Sequence, residues 1–189
     1  MGVGQRVFLI LVVAMLLLIA ASFFDPDWGR ERYAKHQKTY IQLNNLAQAV
    51  QLYHDQYRRY PVFSPEIPGQ DYVLRLKYLS PAFLQVMTGH PPAELQMLNP
   101  KRLTFFSASD SDLTPDRTRL VDAYGNQDLV IIMDTDGDGV IAPFTVTMAS
   151  ADGRRVTVRQ TKPIHANVIA MSPGRGLGDA DAVTTWDVR

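Results

Sequence analysis

The chain has 189 residues, with 19 lysines and arginines against 19 aspartates and glutamates, and a formal net charge of zero. A balanced chain without a basic stripe gives no electrostatic footing for nucleic acid. The absence of cysteine excludes disulfide frameworks, thiolate zinc sites and a thiol nucleophile.

Residues 1–6 read as a short N-terminal tail. The run Val7 to Phe24, VFLILVVAMLLLIAASFF, carries no charge and no proline. As a helix it covers roughly 27 Å, close to the roughly 30 Å of a bilayer core. It is read as a transmembrane helix. A signal peptide cleaved near Ala20-Ala21-Ser22 is the main rival reading, and a buried core helix the lesser one.

Residues 25–61 read as a helical stalk and packed helix. Asp25 is suited to cap it, Pro26 to occupy its first position, and Asp27 to complement the positive end of its dipole. Leu43, Leu46, Val50, Tyr53 and Tyr57 recur every three or four residues, the stripe of a helix that packs on a sheet. Gln42, Asn45, Gln48, Gln51 and Asp55 are assigned to the opposite, solvated face. Tyr33 and Tyr40, nearer the apolar run, are a candidate helix-to-helix seam. Pro61 ends the helix.

Residues 62–189 read as an α+β body. A short helix is predicted within Tyr72 to Thr88, on Leu74, Leu76, Leu79, Phe83, Leu84 and Met87. Strands are predicted at Arg102 to Ser107, Asp128 to Met133, Phe144 to Met148, Arg155 to Arg159 and Asn167 to Met171. The turn Ala151-Asp152-Gly153-Arg154 joins two of them as a hairpin. A long helix followed by a small antiparallel sheet is an α+β architecture.

Two acidic segments are the candidates for chemistry. In Asp134-Thr135-Asp136-Gly137-Asp138-Gly139, three carboxylates alternate with residues that permit a tight turn. Such oxygens suit calcium, which takes six to eight of them at about 2.3–2.6 Å. The loop matches only the first half of an EF-hand: Thr145 stands where the bidentate glutamate belongs, and a strand precedes the loop where a helix should. An acidic solvated turn is the equally weighted alternative. The second segment, Asp179 and Asp181 in the glycine-rich tail, is read as a cation clamp on that tail. Trp186 argues for a docked tail. The histidines His36, His54, His90 and His165 show no metal-ligand spacing, and no nucleophile elbow is present. The chain is read as non-enzymatic.

Several segments resemble the type IV pilin and type II secretion pseudopilin family, specifically the major-pseudopilin type. QLYHDQYRRYP, residues 51–61, is similar to the family's helix end. Leu120-Val121-Asp122-Ala123-Tyr124-Gly125-Asn126 is similar to its V-D-P-W-G-N-P turn. Ser172-Pro173-Gly174 through Asp179-Ala180-Asp181 to Trp186 is similar to its C-terminal tail. Thr88 to Pro100 and the following RLTFF resemble a subgroup with a longer connection. The resemblance implies a pilin-like fold, with a protruding helix on an antiparallel sheet. It implies calcium at Asp179, Asp181 and nearby carbonyls, and packing with copies of itself or other pilin-like subunits in a secretion apparatus. It implies a single-pass inner-membrane protein whose body lies outside the cytoplasm. The chain departs from the family at its start: Gly4 is followed by Gln5-Arg6-Val7-Phe8, and no acid occurs from Met1 to Phe24. A membrane-tethered binding module of the same fold, which forms no filament, is therefore the alternative expectation.

Overall fold

The computed structural model describes residue 15 and residues 26–64 and 70–186. The predicted tail 1–6 and, except for Met15, the predicted membrane helix 7–24 lie outside these residues. Among the described residues no helix is long and apolar enough to cross a membrane. The chain divides into two compact units, Met1–Lys35 and His36–Arg189. In the first, the described residues from Pro26 onward are helical, and Lys35 Nζ pairs with Glu31 Oε1 at 2.8 Å, one helical turn away.

Helix α1 spans Pro26–Tyr57. Its predicted stripe is real: Leu43, Leu46, Val50 and Tyr53 are fully buried in the second unit's larger core. Gln42 is corrected. It lies inside with Leu43, and its Nε2 donates to the Val121 carbonyl at 2.8 Å. The amide is held by that bond where the 3.6-residue count alone placed it in water. Tyr53 OH donates to the Leu98 carbonyl and Tyr57 OH to Asn99 Oδ1 at 2.6 Å, so the stripe ends in polar anchors. Arg58, at φ 55°, turns the chain out of the helix.

Residues 72–88 divide into two elements where one helix was expected. Tyr72–Arg75 is strand β1, and helix α2 follows directly as Leu76–Met87. Tyr72 and Leu74 point inward and Val73 outward, a two-residue period too short to read beside the leucines that follow it. The predicted strand Arg102 to Ser107 forms no ladder. The N–H groups of Phe105 and Phe106 both bond to the Met87 carbonyl, at 2.8 and 3.1 Å, and the Leu103 N–H bonds to Asn99 Oδ1. The segment straps the end of α2, and Phe105 lies edge-on to Tyr53.

The remaining strands are β2 (Val130–Met133), β3 (Phe144–Ala149), β4 (Arg155–Gln160), β5 (Val168–Ser172) and β6 (Val183–Thr184). They form two antiparallel sheets, not one: a four-stranded sheet in the order β1-β2-β5-β6, and the β3-β4 hairpin. The two faces of β2 enter different cores. Ile131 and Met133 join Leu46, Tyr53, Phe83 and Leu129, whereas Val130 and Ile132 join Val146, Met148 and Val158 of the hairpin. Each fully buried Leu or Ile contributes about 2 kcal/mol relative to exposure.

The tail after β5 is docked. Asp122, 2% exposed, accepts from Tyr124 N at 2.8 Å, Asn126 N at 2.9 Å, Asn126 Nδ2 at 2.7 Å and Ser172 Oγ. Asn126 Nδ2 also donates to the Gly174 carbonyl at 2.6 Å. Gly174 sits at φ +61°, and a Cβ there would lie 1.9 Å from the Asp181 carbonyl oxygen, so no other residue fits. Burial pushes the Asp122 carboxyl upward, and its donors from Ser172 and Asn126 oppose that. Further along, Trp186 packs edge-on to Phe144. Asp122→Asn sets an amide NH₂ against these donors. We expect a loss of about 2 kcal/mol, read as a lower denaturant midpoint with an unchanged slope.

Candidate metal centre

The register of β1 on β2 pairs Tyr72 with Met133. One step further along that register, Asp71 therefore faces Asp134 across the end of the ladder. After Asp134 the chain turns sharply. Gly137 and Gly139 take φ of +79° and +80°, and their N–H groups donate to Asp134 Oδ1 and Oδ2, both at 2.7 Å. Val140 N donates to Asp138 Oδ1 at 2.8 Å. Thr135 Oγ1 donates to the Gln70 carbonyl at 2.9 Å, which ties the turn to the entry of β1.

This folding gathers three carboxylates. One oxygen each from Asp71, Asp134 and Asp136 lie within 4.8 Å of one another. Two ligands on opposite sides of a calcium ion stand about 4.6–5.2 Å apart, so the spacing suits one cation held among them. Asp134 is 4% exposed. Asp71 Oδ2 accepts from Ala142 N at 2.7 Å, while its Oδ1 is buried without a hydrogen-bond partner. Burial raises the Asp71 carboxyl first, and repulsion from Asp136, Asp134 and Asp138 adds to it, against the Ala142 N–H. The Asp136 carboxyl is raised chiefly by the hydrogen bond it shares with Asp134. Beside the trio a cleft of about 270 Å³ opens, walled by Val73, Ile132 and Phe144, with Asp136 and Asp138 on its lining.

Of the five aspartates expected to bind metal, the structure brings together Asp134 and Asp136. Asp138 lines the cleft outside the trio. Asp179 and Asp181 lie elsewhere with protein partners: Asp179 Oδ1 accepts from Thr157 N at 2.7 Å, and Asp181 pairs with Arg175 at 3.1 Å and with Leu177 N. The tail is held by these contacts and by Asp122. Asp71 escaped the sequence reading because only the β1-β2 register places it, 63 positions before Asp134. Comparison with protein-family models, curated proteins and solved structures finds no match for this chain.

Calcium that binds only the folded state raises its melting temperature. We expect a rise for the parent chain and none for Asp71→Asn or Asp134→Asn. The pH response carries the opposite sign in the two conditions. Without cation, carboxyls raised in the fold hold more protons than in the unfolded chain. The contribution of Asp71 and Asp136 to stability is then fullest below the ordinary carboxylate range, about pH 4, and is lost as pH rises through their higher folded values. With calcium the ionised forms are favoured and this decline is lost. Melting across that range, with chelator and with calcium, checks both.

Proposed function

We propose that this chain is a membrane-anchored, pilin-like structural subunit or accessory of a type II secretion or type IV pilus-like apparatus. In this reading it performs no catalysis. Residues 7–24 anchor it in the inner membrane with the body outside the cytoplasm. Copies of itself or other pilin-like subunits are its partners, and a calcium ion held by Asp71, Asp134 and Asp136 steadies the turn after β2.

The observation that carries this reading is the junction at Asp122. Two segments that resemble pseudopilins, Leu120–Asn126 and Ser172–Trp186, are far apart in sequence, yet they lock together through Asp122 with Ser172 and Asn126 with Gly174. The third similar segment, residues 51–61, supplies Tyr53 to the adjoining core. A long helix followed by an antiparallel sheet is the architecture that the resemblance implies.

The absence of an acid from Met1 to Phe24 favours a second reading, a tethered binding module of the same fold that does not polymerise. Mass spectrometry of the N-terminal peptide from native membranes separates the two. A new terminus near Gln5, together with cross-linked copies or pilin-like partners, is the expected result for the filament subunit. An intact Met1 with no cross-linked ladder overturns it in favour of the tethered module.

A further inference from the structure

Among the described residues nothing pairs with the outer edge of β1. The sheet order makes β1 a terminal strand, and its register shows which backbone groups face outward. Leu76 N bonds to the Leu129 carbonyl, so alternate residues Leu74 and Tyr72 are those that bond to β2. Asp134 N bonds instead to Asn167, on the β5 side. Asp71 and Val73 therefore turn their N–H and C=O groups away from the sheet. Val73 is 45% exposed. An unpaired edge of this kind is a template for another strand.

Side chains at this edge are equally one-sided. Val73 pairs with Ile132, so it shares a face with Ile132 and, by the two-residue period, with Asp71. That face is the cleft, where Asp71, Asp136 and Asp138 lie among apolar walls and, among the described residues, no lysine or arginine joins the lining. Nearby Arg75 is turned away, donating to the Thr147 carbonyl.

We propose that the edge of β1 receives an extended peptide segment as an added strand, with a lysine or arginine of that segment seated in the acidic cleft. Main-chain pairing with Val73 supplies register, and the cleft supplies selectivity. The peptide residue opposite Val73 projects into the cleft. Its aliphatic stem lies along Val73 and Phe144, and its charge ends among the three carboxylates. This surface stands apart from the membrane-subunit reading, since neither the β1 edge nor the cleft depends on residues 7–24. It shares Asp71 and Asp136 with the cation site, so the test is made in chelator.

The probe is a fluorescein-labelled Thr-Val-Thr-Lys-Thr-Val-Thr peptide, titrated by anisotropy with the full chain in detergent micelles. Saturable binding with a Kd of about 0.1–1 mM is expected. Replacing the peptide's lysine by glutamate is expected to weaken it at least about tenfold. N-methylation of the peptide amides that face β1 is expected to abolish it. Val73→Pro removes only an outward N–H, so it leaves the inner ladder intact and is expected to abolish binding as well. Absence of saturation, equal binding of the lysine and glutamate peptides, or full binding of the N-methylated peptide overturns the proposal. The peptide variants keep the test valid even where Val73→Pro fails to fold. Calcium binding is read separately by melting, so the two ideas fail independently.

Discussion

Strand β2 is buried on both faces, and that constraint organises the rest. Ile131 and Met133 belong to the core that α1 and α2 complete, and Val130 and Ile132 to the core closed by the β3-β4 hairpin. A one-residue slip against β1 or β5 would swap every side chain between the two cores. The register is thereby held with the strength of two apolar interiors, although β1 and β2 have only four residues each. Everything polar at the end of that ladder inherits its position from it. Asp71 meets Asp134 because Tyr72 meets Met133, and the outward edge at Val73 is set by the same parity.

The molecule treats two groups of carboxylates in two ways. Asp122 is saturated: every lone-pair direction it needs is met by Tyr124, Asn126 or Ser172, and the result is a fastening between distant segments. The carboxylates at the end of the β1-β2 ladder are gathered without enough donors. Asp134 is met by two glycine N–H groups, yet Asp71 keeps a buried oxygen with no hydrogen-bond partner and Asp136 shares a hydrogen bond with Asp134. Saturation makes a structural joint; under-saturation makes a place for positive charge. The proposed cation and the proposed lysine follow from this second condition.

Periodic and local features were legible in the chain. The stripe Leu43, Leu46, Val50 and Tyr53, the strands at 130–133, 144–149, 155–160 and 168–172, and the turn at Gly153 all follow from short-range rules. Features that depend on distant partners were not. Tyr72–Arg75 is extended because β2 lies beside it, whereas its own leucines merge with those of α2. Arg102 to Ser107 looks like a strand, but its N–H groups find the Met87 carbonyl instead of a neighbour. Gln42 has the polarity of a surface residue and a buried acceptor in Val121. Within the acidic site, the turn 134–139 was readable from its glycines. Asp71 was not, and nothing in the spacing revealed the pairing of Asp181 with Arg175.

The order in which these contacts become available bears on how the chain acquires its fold. Gln42 waits for Val121, a separation of 79 residues, and Tyr60 for Asn167, a separation of 107. Strand β5, synthesised late, lies in the sheet between β2 and β6. Until the chain through residue 172 has emerged, the sheet lacks β5 and Asp122 lacks Ser172. Topology of this kind folds slowly, because loops must close before their contacts repay the entropy. A nascent chain so delayed keeps the apolar stripe of α1 exposed until its distant partners arrive, and an exposed apolar surface of this kind is prone to association.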